Sequence, residues 1–137
     1  MRYLLDTKAC IALIKEQPLS VRAHFDRELS RGSDVYASSV VVYELGYGVS
    51  KSQRREVNAQ LLAGFLSGPV HPLAFDEDDA RFAGELRAGM EAIGRPVGDY
   101  NLLIAGQALR HKMTVVTANT REFGRIKNLS WEDWSKS

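Results

Sequence analysis

Six side chains stand where apolar runs of this sequence break off, and their types suit a metal ion and a phosphodiester. Asp6 ends the run Tyr3-Leu4-Leu5. Glu44 sits beside a helical stripe of Val41, Leu45, Gly48 and Val49. Asp99 and Asn101 open a segment that is apolar nearly all round from Leu102 to Leu109. Glu122, with Asn119, follows the β-branched run from Thr114 to Thr117. Several carboxylates in one cleft repel each other unless a cation joins them. A donor set made of oxygens favours Mg²⁺ or Mn²⁺. Such an ion activates a water and neutralises charge on a phosphodiester under attack. The sequence offers no competing Ser/His/Asp or Cys/His arrangement, no Gly-rich phosphate loop and no zinc-type Cys/His spacing.

Each of these residues also has a plainer use. Asp6, Thr7 and Asp99 fit helix N-caps, whose side-chain oxygen accepts a free backbone N–H. Glu44 fits a rim side chain that reaches solvent, because a buried glutamate is costly unless something positive meets it. The chemical reading rests on the residues arriving together, and that depends on the elements that carry them.

Those elements alternate. A strand over Arg2–Leu5 leads into a helix from Thr7 to about Glu16, stopped by Pro18. A second helix spans about Leu19 to Arg31, with Val21, Phe25 and Leu29 at four-residue spacing and Gly32 at its end. Asp34 to Ala37 reads as a strand. Ser38 and Ser39 cap a helix from Val40 to about Lys51, and another runs from about Gln53 to Leu66 before Gly68-Pro69. Arg54 and Arg55 open that helix and face either phosphate or solvent. Val70 to Leu73 forms a third strand. The helix from Asp76 to Ala92 starts with Asp76, Asp78 and Asp79, which suit the positive end of the helix dipole better than a metal. After the loop Gly94 to Gly98 comes the helix of Asp99 to Leu109. A strand from Thr114 to Thr117, a polar loop or helical turn, and an edge strand over Leu129 to Trp131 complete the chain.

Strands that alternate with helices predict a parallel sheet with helices on both faces, an α/β fold. In such sheets ligands bind beyond the carboxyl ends of the strands. Asp6 and the loop from Thr117 to Glu122 leave strand ends at that edge, and the helices bearing Glu44 and Asn101 begin there.

The totals narrow the function classes. The 137 residues predict one domain, 1–137, with a sizeable core. The formal charge of +1 gives no global basic field. Charge is uneven, however: Ala74 to Glu91 holds six acids against two arginines, and Gln107 to Lys127 holds five basic residues against Glu122 alone. The second stretch can face an anion, although solvated helix faces also explain the pattern. Cys10 is the single cysteine, so no disulfide forms within the chain and a cytoplasmic setting is expected. Its neighbours Ala9, Ile11 and Leu13 make it a core residue. No stretch has the length of a membrane span.

The sequence resembles the PIN-domain ribonucleases, specifically VapC-type toxins of bacterial type II toxin–antitoxin systems. The resemblance rests on Tyr3-Leu4-Leu5-Asp6-Thr7, Ser38 to Leu45 with Gly48 and Lys51-Ser52-Gln53, Gly94-Arg95-Pro96-Val97-Gly98 with Leu103-Ile104-Ala105-Gly106, Val116 to Phe123, and Glu132-Asp133-Trp134. It covers nearly the whole chain. It implies a PIN-like α/β/α sandwich with a central parallel sheet and an Mg²⁺-dependent endoribonuclease. It also implies a homodimer and a cognate VapB-like antitoxin, with operator DNA met only through the antitoxin. Similar members cleave initiator tRNA in its anticodon region, so tRNA is the implied substrate. By position, Asp6 and Glu44 match the first two acids of the family. Glu122, with Thr117 and Asn119, matches its C-terminal polar cluster. Arg95, Arg121 and Arg125 are candidates for RNA phosphate.

Two positions depart from the pattern. Family members usually place the third acid four residues before the alanine of Leu-Leu-Ile-Ala, which here is Asn101. Asn101 is an inactivating change, natural or introduced, or it coordinates weakly through its amide oxygen, or Asp99 replaces it as ligand. Residues two apart on a helix point to different sides, so Asp99 can replace Asn101 only from before the first turn. Loss of one unit charge about 4 Å from a metal costs on the order of 1–4 kcal/mol, enough to blunt activity. Lys8 stands where the family usually has Asn, and its ammonium either competes with the metal or holds phosphate. Two other classes remain: a catalytically inactive PIN scaffold that binds RNA or antitoxin, and a phospho-accepting receiver domain. The receiver needs adjacent acids after strand 1, which Asp6-Thr7-Lys8 does not supply.

Overall fold

A computed structural model describes residues 1–136. Five strands form one sheet in the order β3-β2-β1-β4-β5, and every neighbouring pair is parallel. The strands are β1 (Arg2–Leu5), β2 (Asp34–Ser38), β3 (His71–Leu73), β4 (Thr114–Val116) and β5 (Trp131–Glu132). The central strand β1 buries Tyr3, Leu4 and Leu5, and β4 buries all three of its residues. Strands covered on both faces read as unbroken apolar runs, which is why these two stand out in the sequence.

Among the described residues seven helices connect the strands: α1 (Thr7–Lys15), α2 (Leu19–Ser30), α3 (Ser39–Lys51), α4 (Arg55–Leu66), α5 (Glu77–Ala92), α6 (Asp99–His111) and α7 (Thr120–Phe123). Helices α1 to α4 pack among themselves and on β1 and β2, while α5 lies along α6, which packs on β4. This is the expected α/β/α sandwich. A Cβ added at Gly106 would stand 3.1 Å from Cα of Ala83, so the glycine lets α5 and α6 approach closely. Near the C-terminus Trp134 is buried edge-on to Tyr3, with ring centroids 5.1 Å apart, and stacks on His24. Cys10 is fully buried, in keeping with a core role.

Most boundaries follow the sequence within a residue or two. Strand β5 starts two residues later than expected, because the ladder is closed by Val115 N–H to Ser130 O and by Thr117 N–H to Glu132 O. The acids that open α5 do cap it: the Asp76 carboxylate accepts from Asp79 N–H and the Asp79 carboxylate accepts from Asp76 N–H. Asp79 does more. It is fully buried and also accepts from Arg110 at 2.7 Å and from the Gln107 amide at 3.1 Å, 3.1 Å from His111 Nε2. Burial works against its charge, but the Asp76 N–H, Arg110 and Gln107 outweigh that and hold its carboxyl below the usual range. The pair of α5 and α6 is thus locked by a charge cluster.

Candidate active site

The parallel register sets the site. Leu5 is level with Ala37 on one side and Val116 on the other. The next residues, Asp6, Ser38 and Thr117, therefore stand side by side at the carboxyl edge of the sheet. Asp6 is nearly buried and serves as N-cap of α1, its Oδ1 accepting from Ala9 N–H at 2.8 Å. The cap and the proposed chemistry thus share one residue. Burial pushes the Asp6 carboxyl above its usual range, and nearby Glu44 adds to this. The Thr117 hydroxyl, the Ala9 N–H and Lys8 oppose it.

Glu44 arrives from the second turn of α3, whose start is fixed by Ser38 accepting from Val40 N–H. Its Oε1 accepts from the Thr7 hydroxyl at 2.6 Å. The cation that a half-buried glutamate calls for is thus replaced by a neutral donor one residue beyond Asp6. Lys8 is exposed at the same corner.

The far side is built on Glu122. Its Oε1 accepts from Gly98 N–H at 2.6 Å, and its Oε2 accepts from the Asn119 amide at 3.2 Å. Asn119 caps α7 and receives its own tie from Asn119 N–H to the Thr117 hydroxyl at 2.9 Å. The Asn101 side chain lies near Glu122 and also helps to stabilise its charge. The Gly98 N–H, the two asparagine amides and the charge of Arg125 together hold the Glu122 carboxyl below its usual range, against partial burial. A Cβ at Gly98 would stand 3.2 Å from Glu122 Oε1, so a glycine there lets the backbone reach the carboxylate.

Asp6, Glu44, Asn101, Thr117, Asn119 and Glu122 therefore form one arc of contacts across the carboxyl edge of the sheet. Asp99 takes a different position. Gly98 is the N-cap of α6 and Asp99 is its first helical residue, so it does not precede the first turn. It lines a recess with Arg87, Glu91 and Pro96 on the α5 side. Arg95 and Arg121 are exposed. Arg125 donates to the Pro96 carbonyl at 2.9 Å and so tethers the loop before α6. Sequence reasoning missed the Thr7 hydroxyl and the Gly98 N–H as partners of the acids; Ser/Thr after a strand-end acid and a glycine before a helix were their only signals.

The donor set tests the fit of a divalent cation. Among the described residues no group of three His, Cys, Asp or Glu side chains comes close enough to hold a metal. What remains is two neighbouring carboxylates, Asp6 and Glu44, with amide and hydroxyl oxygens around them. Mg²⁺ is commonly held by one or two carboxylates plus water, so these residues fit such an ion, with Asn101 supplying less charge than an aspartate.

A cleft of about 280 Å³ opens beside Glu44, between α1, α3 and α4, lined by Ile11, Ile14, Leu45, Val49, Leu61 and Leu62 among others. Among the described residues no helix is long and apolar enough to cross a membrane.

Residues 3–129 match the model of the PIN domain. The chain is 42% identical to the tRNA(fMet)-specific endonuclease VapC of Shigella flexneri over 98% of its own length and 99% of the relative's. It is 39% identical to ribonuclease VapC2 of Rickettsia felis, with 99% and 100% covered. Among solved structures it superposes on VapBC2 of Rickettsia felis bound to a fragment of promoter DNA with a TM-score of 0.90 at 37% identity, covering 98% and 99% of the two chains. The DNA-bound VapBC of Salmonella typhimurium gives 0.88 at 39% identity, with 98% of each chain covered.

Proposed function

This chain belongs to the PIN-domain family and within it to the VapC-type ribonuclease toxins, and from that premise we propose that it is a metal-dependent endoribonuclease that cuts tRNA, initiator tRNA in particular. The observation that supports this most is the arc of oxygen ligands at the strand ends, with Asp6 and Glu44 at its centre. Asp6 is rigidly placed by its cap bond, and Asn101 stands beside Glu122 at the position of the third acid. A bound Mg²⁺ or Mn²⁺ activates water and neutralises charge on the scissile phosphate. Asp6 would hold it, with Asn101 as a weaker neutral donor. Glu44 is held through one oxygen by Thr7, which leaves the other free to orient a water and take its proton. Glu122 and Asn119 keep the rim in shape, and the exposed Lys8, Arg95 and Arg121 would meet phosphate.

Asn101 weakens the site in this reading, because an amide replaces a charge. A second reading, an inactive PIN scaffold that keeps RNA or antitoxin binding, draws support from the neutral Asn101 beside Glu122, whose carboxylate is met by the Gly98 N–H and the Asn119 amide without any cation. For partners, we assign the apolar cleft beside Glu44 to a VapB-like antitoxin, which would bring operator DNA to the complex. A homodimer and a cytoplasmic setting complete the proposal.

Cleavage of purified initiator tRNA and of total tRNA in Mg²⁺ tests it, comparing the parent chain, Asn101→Asp, and Asn101→Asp with Asp6→Ala. Cleavage strengthened by Asn101→Asp and abolished by Asp6→Ala supports the enzyme. Absence of cleavage by all three removes its main support and favours the scaffold.

A further inference from the structure

Beside the carboxylates lies a row of side chains that the arc does not use. Tyr43, the residue before Glu44, is 59% exposed, and Tyr100, between Asp99 and Asn101, is 42% exposed. Their rings lie 5.7 Å apart at 48°, and the two hydroxyls are 3.4 Å apart. Two helices thus present one aromatic pair at the mouth of the site. One turn along α3, Tyr47 is 61% exposed, and the Lys51 ammonium lies 5.1 Å from its ring. Tyr43, Tyr47 and Lys51 are four residues apart in turn, so they share one helix face.

Three large aromatic rings held out in water are costly unless something covers them. The row adjoins the arc in the chain, Tyr43 next to Glu44 and Tyr100 next to Asn101, and ends in the Lys51 cation; Lys8 and Arg95 are exposed as well. An apolar protein partner has no use for that cation next to a carboxylate site. Unpaired bases joined by phosphates do: each base has a face to stack on a ring, and each phosphate seeks a positive charge.

We propose that Tyr100, Tyr43 and Tyr47 form a stacking track, ending at Lys51, that holds unpaired bases of an RNA strand next to the cleavage site. The proposal rests on the ribonuclease reading and specifies how that site takes its substrate: as single strand, with the bases splayed onto α3. The tyrosines act as positioning residues, so they set the register of the strand and do not touch the scissile bond.

The test separates binding from cleavage. A fluorescein-labelled single-stranded oligoribonucleotide is titrated by anisotropy against metal-free protein, together with an abasic oligomer of equal length and charge. The proteins are the parent, Tyr43→Ala with Tyr100→Ala, and the matching pair of phenylalanine substitutions. The expected result is a parent that prefers the base-bearing strand, alanine variants that bind it on the order of tenfold or more weakly and lose the preference, and phenylalanine variants that keep it. Sedimentation gives the mass of each. Alanine variants that bind like the parent overturn the track while leaving the ribonuclease reading intact. Variants that fall to half the parent's mass assign the pair to contact between two copies and also overturn it. A parent that binds no RNA removes the ribonuclease reading itself, and the track with it.

Discussion

Asn101→Asp should make the metal-free protein less stable, and divalent cation should give the stability back. The Asn101 amide helps to stabilise the Glu122 carboxylate, beside the Gly98 N–H and the Asn119 amide that donate to it. Aspartate in its place removes that support, for which a well-sheltered hydrogen bond to a charged group, about 1.5–3 kcal/mol, is the upper bound. It also sets two like charges in contact, which costs about 1 kcal/mol in water and about 4 kcal/mol near a protein surface at 4 Å. Glu122 is only half-buried, so solvent screening pulls both figures down. A net loss of about 2 kcal/mol follows, or a fall of roughly 4–8 °C in Tm for a domain of this size. Differential scanning calorimetry in EDTA and in Mg²⁺ reads it. The pH dependence has a definite sign. The Glu122 carboxyl is held below its usual range, first by the Gly98 N–H. Its stabilisation is therefore present above its unfolded value of about 4.3 and is lost as pH falls through the depressed folded value. The gap between variant and parent should be full at neutral pH and close in acid, where both carboxyls are protonated. A variant as stable as the parent in EDTA, or one that gains no more from Mg²⁺ than the parent does, would refute the reasoning.

Two further substitutions probe the charges at either end of the fold. Asp6→Asn keeps an oxygen to cap Ala9 N–H but removes a carboxylate whose folded pKa is raised by burial. Ionising that carboxylate costs stability as pH rises from its unfolded value of about 3.9 through the folded one. The variant should therefore gain on the order of 1 kcal/mol at neutral pH and nothing in acid, while cleavage is lost; a less stable variant in EDTA would count against a strained Asp6. Asp79→Ala should cost about 2–4 kcal/mol in urea unfolding, since it leaves the Gln107 amide buried and Arg110 short of its 2.7 Å partner. A cost under roughly 0.5 kcal/mol, ordinary for a surface change, would show that the cluster does not lock α5 to α6.

The sheet was legible because its central strands are buried on both faces and their apolar runs stop at polar residues. The helix caps at Ser38 and Asp76 were legible because capping is local chemistry. What the sequence concealed is all long-range. Thr7 and Glu44 meet across 37 positions and Gly98 and Glu122 across 24, and no periodicity within one element reports such a pair. Asp79 reads as the third acid of a helix start, and only the packing of α6 against α5 turns it into a buried anion with Arg110 and His111. Strand β5 was misplaced by two residues because it makes only two rungs with β4, too few for an alternating pattern to show. Whether Asp99 replaces Asn101 could not be decided from sequence, because it turns on where α6 starts; the Gly98 cap fixes that start.

The distribution of charge within the arc carries the final step. Converging carboxylates are unfavourable until something joins them. On the Glu122 side the joining is complete: the Gly98 N–H and the Asn119 amide donate to the carboxylate, which is held below its usual range. On the other side it is not. Thr7 satisfies one oxygen of Glu44, but the Asp6 carboxyl stays raised despite its cap bond, because burial outweighs Thr117 and Lys8. The unrelieved negative potential is therefore concentrated at Asp6 and Glu44. A divalent cation gains most where charge is least compensated, so it should settle against these two, away from Glu122. Asn101→Asp would then draw the ion across towards the rim and place it between all three acids. The consequence is an ordering of variants that a simple count of carboxylates does not give. Removing Glu122 should spare metal affinity in the parent and weaken it in the Asn101→Asp protein, whereas removing Asp6 should abolish it in both.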